Sequence, residues 1–296
     1  MEITAKTKKV GLIGWPLGHS LSPVMHNTAF AENGLDYVYL PLPTPPELLP
    51  QAVAGIRALG FTGVNVTIPH KIAVMDYLDE IDSSAKLVGA VNTIVVAEGR
   101  LIGYNTDAGG YIRSLEQAGV SVAGKSAVIL GAGGAARAVV AGFIGAGAAC
   151  VTVAARDKCK ASRMAELFTA TGAVNGVAWN SDECTAALAA AGIVVNATPL
   201  GMHPETQKQP PVEWDVLQST AVISDLVYNP LVTCFLAEGA LRGHTVVGGE
   251  GMLIEQGALA FELWTGSKAP TKIMREALLA SLNNKKQQIS NKKPIF

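Results

Sequence analysis

The sequence lacks most of what would mark a membrane protein, a metalloprotein or a nucleic-acid binder. No apolar run reaches the length of a bilayer span, and the longest, Ala138 to Val151, is interrupted by glycines. Neither sign of charge prevails. Lys and Arg number 23 against 24 Asp and Glu, for a formal net charge of -1, so electrostatics gives no reason to expect nucleic acid or an acidic membrane. The four cysteines, Cys150, Cys159, Cys184 and Cys234, form no CxxC pair and no zinc spacing. Scattered thiols fit a reducing compartment and buried apolar roles. The five histidines include no HExxH and no i,i+4 pair, so no metal is expected. There is no GxSxG elbow. Ser20 and Ser22, flanked by His19 and His26, are therefore read as hydrogen-bond donors rather than nucleophiles. The N-terminal lysines precede Val10-Gly11-Leu12-Ile13-Gly14-Trp15, a run too short and glycine-rich for a secretory signal. A soluble, cytoplasmic protein is expected, as monomer or homodimer.

What is present is apolar and small. Hydrophobic residues make up 49% of 296 residues, with 31 glycines, a balance that suits buried parallel strands with close helix contacts. The first part reads as strands at Val10–Ile13, Tyr37–Leu42 and Gly63–Ile68, with helices at Pro23–Asn33, before Gly60, at Lys71–Leu78 and at Ala85–Gly89. Ser22 is the expected N-cap of the first helix, with Pro23 at its first position. Val91–Val96 and Leu101–Tyr104 form a hairpin around Glu98-Gly99. A second α/β run has strands at Ala127–Leu130, Cys150–Ala154, Ile193–Asn196, Ala221–Ser224 and Val246–Val247, with helices at Arg137–Ile144 and Lys160–Thr171. Met252 to about Leu282 is helical, and Asn283–Phe296 is a polar, frayed tail. The expected class is α/β: an N-terminal α/β substrate lobe over 1–107, a doubly wound Rossmann-type domain over 108–247, and C-terminal helices over 248–296 returning to the first lobe.

Val128-Ile129-Leu130-Gly131-Ala132-Gly133-Gly134-Ala135-Ala136-Arg137 reads as strand, turn and helix. Gly131 makes the tight turn, Gly133 lets backbone approach a pyrophosphate, and Ala136 lets the helix sit close to the strand. The helix N-terminus then offers N–H groups to the anion. The alternative is a tight turn with no ligand. An NAD site places an acid at the end of the second strand. Here Ala155 and Arg156 stand there, and Arg156, near Lys158 and Lys160, suits a 2′-phosphate. Asp157 is the contrary signal, because its carboxylate suits a bare ribose. NADP is the expected cofactor, with NAD still open.

Ser20, Ser22, Asn65, Thr67, Lys71, Asn92, Thr106 and Asp107 sit in short loops and at strand ends. Neutral donors and acceptors of this kind suit a polyhydroxylated substrate. A Lys71–Asp107 pair either shares a proton near the reacting oxygen, with Asp107 orienting Lys71, or is a structural ion pair with helix caps.

At these residues the chain resembles the shikimate dehydrogenase family over about 8–282. The motifs are Gly18-His19-Ser20-Leu21-Ser22-Pro23, Asn65-Val66-Thr67-Ile68-Pro69-His70-Lys71, Gly89-Ala90-Val91-Asn92-Thr93, Asn105-Thr106-Asp107, Gly131 to Arg137, Asn196-Ala197-Thr198, Asp225 to Pro230 and Gly249 to Gln256. The resemblance implies reversible hydride transfer between NADPH and 3-dehydroshikimate, giving shikimate for aromatic amino-acid biosynthesis. It implies that Ser20, Ser22 and Tyr228 hold the substrate carboxylate, and that Thr67, Asn92, Asp107 and Gln256 hold its hydroxyls. Lys71 is then the acid/base at the C3 oxygen, assisted by Asp107. Gly131, Ala132, Gly133, Gly134 and Ala135 cradle the pyrophosphate, Arg156 meets the 2′-phosphate, Leu226 and Gly249 line the nicotinamide site, and Thr198 lies along the cofactor. The family's Asn-Arg-Thr is here Ala155-Arg156-Asp157. Members with an Asp near this site use NAD or both cofactors, and some oxidise quinate. A quinate/shikimate dehydrogenase preferring NAD is the nearest alternative, and a non-catalytic dinucleotide-binding regulator is the alternative from another class.

Overall fold

The computed structural model describes residues 2–18, 20–170 and 172–291, with side chains to residue 284. His19, Thr171 and the end of the expected tail, 292–296, lie outside the described residues.

In chain order the elements are β1 (Lys8–Gly14), α1 (Ser22–Glu32), β2 (Tyr37–Pro43), α2 (Leu49–Ala58), β3 (Phe61–Val66), β4 (Glu80–Ile81), α3 (Ser83–Val88), β5 (Thr93–Ala97) and β6 (Arg100–Tyr104). There follow α4 (Asp107–Gln117), β7 (Ser126–Leu130), α5 (Gly134–Gly145), β8 (Cys150–Ala155), α6 (Lys158–Glu166), β9 (Val174–Ala178), α7 (Asp182–Ala189), β10 (Ile193–Asn196), β11 (Val222–Asp225), α8 (Cys234–Leu241), β12 (Thr245–Val247), α9 (Glu250–Thr265) and α10 (Thr271–Asn291). They form two compact units, Met1–Thr106 with Gln256–Phe296, and Asp107–Glu255.

The first unit is built on a mixed six-stranded sheet of order β2-β1-β3-β5-β6-β4. β1 lies parallel to β2 and β3, while β5 is antiparallel to both β3 and β6. This places the loops after β1, β3 and β6, and the residues just before β5, at one edge of the sheet. Three glycines make the packing possible. A Cβ on Gly14 would lie 2.3 Å from Thr67 Cγ2, one on Gly63 would lie 2.3 Å from Trp264 Nε1, and one on Gly257 would lie 2.5 Å from the Met25 methyl. Trp264 donates to the Ile94 carbonyl at 3.0 Å, so α9 is fastened to β5.

The second unit has an all-parallel sheet of order β12-β11-β10-β7-β8-β9. Counting its strands along the chain, this is 6-5-4-1-2-3, the doubly wound order with its reversal point between the first and fourth strands. Its core strands are apolar and buried, among them Val128, Ile129, Leu130, Val153, Val194, Val195 and Ile223.

The structure departs locally from the sequence reading. The first helix starts at Ser22, not Pro23, and its N-cap position is Leu21 with no side-chain cap. Ser22 is inside the helix, and its N–H donates to Ser20 Oγ at 3.3 Å. The expected helix at Lys71–Leu78 is a short 3₁₀ turn, Ala73–Tyr77, and the helix expected to end at Thr171 stops at Glu166. The helix expected to stop at Leu282 continues to Asn291. The second sheet holds six strands rather than five. β9 was not expected because its sequence, VNGVA, is half-exposed at the sheet edge.

Candidate active site

The site of the first unit is assembled at the sheet edge where β1 and β3 end. Thr67 is held there by its N–H, which donates to the Ile13 carbonyl at 2.9 Å. Lys71 follows the turn closed by His70 N–H on the Thr67 carbonyl, and its own carbonyl accepts from Val91 N–H at 2.8 Å. Asn92 N–H donates to the Tyr104 carbonyl at 3.0 Å, and the Asn92 carbonyl accepts from Val66 N–H at 2.8 Å. Backbone hydrogen bonds thus bring Thr67, Lys71 and Asn92 to neighbouring strand ends. Lys71 is half-buried and Asn92 is buried.

Asn92 Oδ1 accepts from Thr106 N–H at 2.8 Å, and Asn92 Nδ2 donates to Thr106 Oγ1 at 2.9 Å. Thr106 is the residue before Asp107, the first residue of α4. Asn65 behaves differently from the expectation. Its side chain is buried and engaged inside the protein, with Tyr39, with Thr93 and with the Asn92 carbonyl, so it supports the site rather than facing a ligand. Ser20 and Ser22 are half-buried at the start of α1, with Ser22 N–H on Ser20 Oγ. Gln256 stands on α9 beside the buried Glu255.

In the second unit, Gly131 adopts φ +119°, a backbone state that favours glycine. A Cβ there would come within 3.0 Å of both the Ala197 carbonyl oxygen and Thr198 Cγ2. The turn after β7 and the segment after β10 are therefore in close contact, at the reversal point of strand order. Thr198 is fixed by its hydroxyl, which donates to Asn196 Oδ1 at 2.7 Å. A Cβ on Gly133 or Gly134 would meet nothing within 4 Å, so the smallness of these two residues is not demanded by packing. Helix α5 begins at Gly134 with no side-chain cap and no acid in its first turn. Uncapped N–H groups with room before them fit a dinucleotide pyrophosphate. Ala136, fully buried, lets α5 sit against the sheet.

Arg156 is exposed just after β8. Asp157 is the N-cap of α6, and its Oδ1 accepts from Cys159 N–H at 2.9 Å. Lys158 pairs with Glu183 at 3.7 Å. The structure thus gives Asp157 a local structural task in addition to any effect on cofactor choice.

Leu226 and Gly249 are also brought together. A Cβ on Gly249 would lie 2.3 Å from the Leu226 carbonyl oxygen. Their loop is organised by Asp225, a buried carboxylate that accepts from Val227 N–H at 2.9 Å, Thr233 Oγ1 at 2.7 Å and Asn196 Nδ2 at 3.0 Å. Burial raises its pKa above the ordinary value. Tyr228, three residues on, is raised by burial too. Sequence reasoning gave Asp225 and Tyr39 no role. The available signal was a polar group within each of two largely apolar strands, YVYLPLP and VISD. Among the described residues, no group of three or more His, Cys, Asp or Glu could hold a metal, and no helix is long and apolar enough to cross a membrane.

Family models match along the chain: the shikimate dehydrogenase substrate binding domain at 12–94, shikimate / quinate 5-dehydrogenase at 114–205, and the shikimate 5'-dehydrogenase C-terminal domain at 249–279. A relative from Symbiobacterium thermophilum, shikimate dehydrogenase (NADP(+)), is 50% identical over 276 residues, 92% of this chain and 94% of the relative. The chain belongs to the shikimate dehydrogenase family. Among solved members, a shikimate dehydrogenase in complex with NADP+ superposes with a TM-score of 0.88 at 42% identity, covering 95% of this chain and 98% of the other. A shikimate 5-dehydrogenase from Listeria monocytogenes, in complex with shikimate and NAD, gives a TM-score of 0.90 at 37% identity, covering 94% and 98%. In shikimate dehydrogenase terms, the first unit here holds the stretch matched by the substrate binding model, and the second holds the glycine turn.

Proposed function

We propose that this chain is an NADP-dependent shikimate dehydrogenase that reduces 3-dehydroshikimate to shikimate, reversibly, with Lys71 as its acid/base. One observation carries the reading. Hydrogen bonds between strand ends gather Thr67, Lys71 and Asn92 at one edge of the first sheet, with the serine loop following β1.

When bound, NADPH supplies the hydride that reaches the carbonyl carbon. The chain's own residues do the rest. Lys71 donates a proton to the developing C3 oxygen and takes it back in the reverse direction. Asp107 assists by orienting Lys71 and favouring its charged form. Ser20, Ser22 and Tyr228 bind the ring carboxylate through their hydroxyls. Thr67, Asn92 and Gln256 bind the ring hydroxyls together with Asp107. Gly131 to Ala135 receive the pyrophosphate, Arg156 the 2′-phosphate, and Leu226, Gly249 and Thr198 flank the nicotinamide half. The four free cysteines support a cytoplasmic site of action.

Initial rates with shikimate and with quinate, each with NADP and with NAD, test this reading through absorbance at 340 nm. The expected order puts shikimate with NADP first. A higher kcat/KM with NAD would overturn the cofactor assignment, a higher value with quinate the substrate assignment, and no turnover with any pair the enzymatic reading as a whole.

A further inference from the structure

Asn196 and Asp225 end the neighbouring parallel strands β10 and β11, where they are register partners, and both are fully buried. They hold each other, with Asn196 Nδ2 donating to Asp225 Oδ1 at 3.0 Å. Each also holds the segment that follows its own strand. Asn196 Oδ1 accepts from Thr198 N–H at 3.0 Å and from the Thr198 hydroxyl at 2.7 Å, and Asn196 Nδ2 donates a second bond to the Leu200 carbonyl at 3.1 Å. Asp225 Oδ1 accepts from Val227 N–H at 2.9 Å, and Asp225 Oδ2 accepts from the Thr233 hydroxyl at 2.7 Å. Thr233 Oγ1 in turn caps α8 by accepting from Leu236 N–H at 3.2 Å.

Leu226 lies between these anchors. Its N–H donates to the Asn196 carbonyl at 3.0 Å, and its carbonyl oxygen would lie 2.3 Å from a Cβ on Gly249. It is therefore pinned on one side and crowded on the other. Both side chains of the Asn196–Asp225 pair are engaged inside the protein, so the pair acts on a ligand only through the backbone it fixes. The three partners of Asp225 are all donors, a set that a carboxylate satisfies and a carboxamide does not.

Building on the reading that Thr198, Leu226 and Gly249 flank the nicotinamide half of the cofactor, we propose that Asp225 is a positioning residue for hydride transfer: paired with Asn196, it locks the segments after β10 and β11 in one mutual arrangement and so sets where the nicotinamide ring sits. In the same reading the 2′-phosphate end belongs to Arg156, which follows β8, two strands over from β10. The adenosine half is therefore outside the coupling.

The test is Asp225→Asn, which keeps the shape of the side chain and turns one acceptor oxygen into a donor. At saturating shikimate and NADP, kcat is expected to fall about 30-fold, since displacing a reacting group by about 1 Å costs on the order of 100-fold. The Kd for NADPH should rise about fivefold, whereas the Kd for adenosine 2′,5′-bisphosphate, which lacks the nicotinamide, should stay within about twofold of wild type. A merely structural role would lower the melting temperature and leave kcat and both Kd values unchanged, or weaken both ligands alike; either result overturns the proposal. Gly249→Ala displaces the same Leu226 carbonyl without touching Asp225 and should give the same split. If Gly249→Ala moves neither kcat nor the Kd for NADPH, the placement of Leu226 beside the nicotinamide is wrong and the proposal falls with it. If Gly249→Ala gives the split and Asp225→Asn does not, that placement stands and the proposal alone is overturned. Should Asp225→Asn fail to fold, Thr233→Val removes one of the three donors and leaves the Asn196 bond. A kcat about threefold lower is then expected, with the Kd for adenosine 2′,5′-bisphosphate again unmoved, and an unchanged kcat overturns the proposal.

Discussion

The residues around the proposed substrate site of the first unit spend much of their hydrogen bonding on one another, whereas the glycine turn of the second unit is left uncapped. Asn92, Thr93, Thr106, Asn65 and Tyr39 form a buried, mutually bonded set. Gly133 and Gly134 stand before the N–H groups of α5 with no side chain and no neighbour within 4 Å of where one would be. The difference fits the ligands proposed for the two units. A polyhydroxylated ring must be distinguished from similar rings, and that calls for donors and acceptors locked in place. A pyrophosphate is recognised by charge and by close backbone approach, and that calls for bare N–H groups and space.

Within the turn itself, Gly131 and Gly133 sharpen the contrast. Gly133→Val should weaken NADP binding by about 100-fold, the scale of one or two hydrogen bonds to a charged group, with the melting temperature unchanged. Gly131→Ala should instead lower stability by about 1–3 kcal/mol, because φ +119° strains any other residue. Fluorescence titration of NADPH beside thermal unfolding would check both. Equal losses of stability in the two variants would break the distinction.

The second prediction concerns the apolar wall of the first unit. His26 is fully buried, neither of its ring nitrogens has a hydrogen-bond partner, and burial pushes its pKa down from 6.5 to about 3. Between those values the unfolded chain binds a proton that the folded chain refuses. Stability contributed by the neutral ring is therefore complete above 6.5 and is lost as pH falls toward 3. From pH 7 to pH 5 this group alone should cost roughly 2 kcal/mol, at about 1.4 kcal/mol per unit. Denaturant unfolding of wild type and His26→Phe would measure it, since the variant lacks the titration. A difference between the two that does not change with pH would contradict it.

The smallest effects belong to Asp157, where the two demands meet. Asp157→Ala removes the cap of α6 and should cost about 1 kcal/mol of stability. Asp157→Asn keeps the cap and removes the charge beside Arg156. The KM for NADP should then fall about threefold, the scale of an exposed charge interaction. Thermal unfolding and initial rates would read the pair, and a rise in KM for NADP in Asp157→Asn would reverse the argument.

Much of this was legible in the residues. The strand–turn–helix around Gly131 shows because a buried parallel strand is a continuous apolar run and glycines punctuate it. Ser22, Thr67, Lys71 and Asn92 show as polar residues in the short segments that join strands and helices. Other features do not show, for physical reasons. β9 has alternating exposure and a glycine whose Cβ would sit 2.4 Å from Ser162 N–H, so α6 selects it, not its own propensity. Asn65 reads like a ligand-facing amide because residue type carries no record of which partners satisfy it. Tyr39 and Asp225 are hidden for the converse reason: their value lies in hydrogen bonds to residues far along the chain, which no local pattern encodes.

The division of labour between the two units is tested most directly with Lys71→Ala, by measuring kcat for shikimate oxidation and the Kd for NADPH on the same protein. The account predicts a kcat lower by about three orders of magnitude, within the range of general acid–base catalysis, and a Kd within about twofold of wild type. A kcat within tenfold of wild type would contradict it.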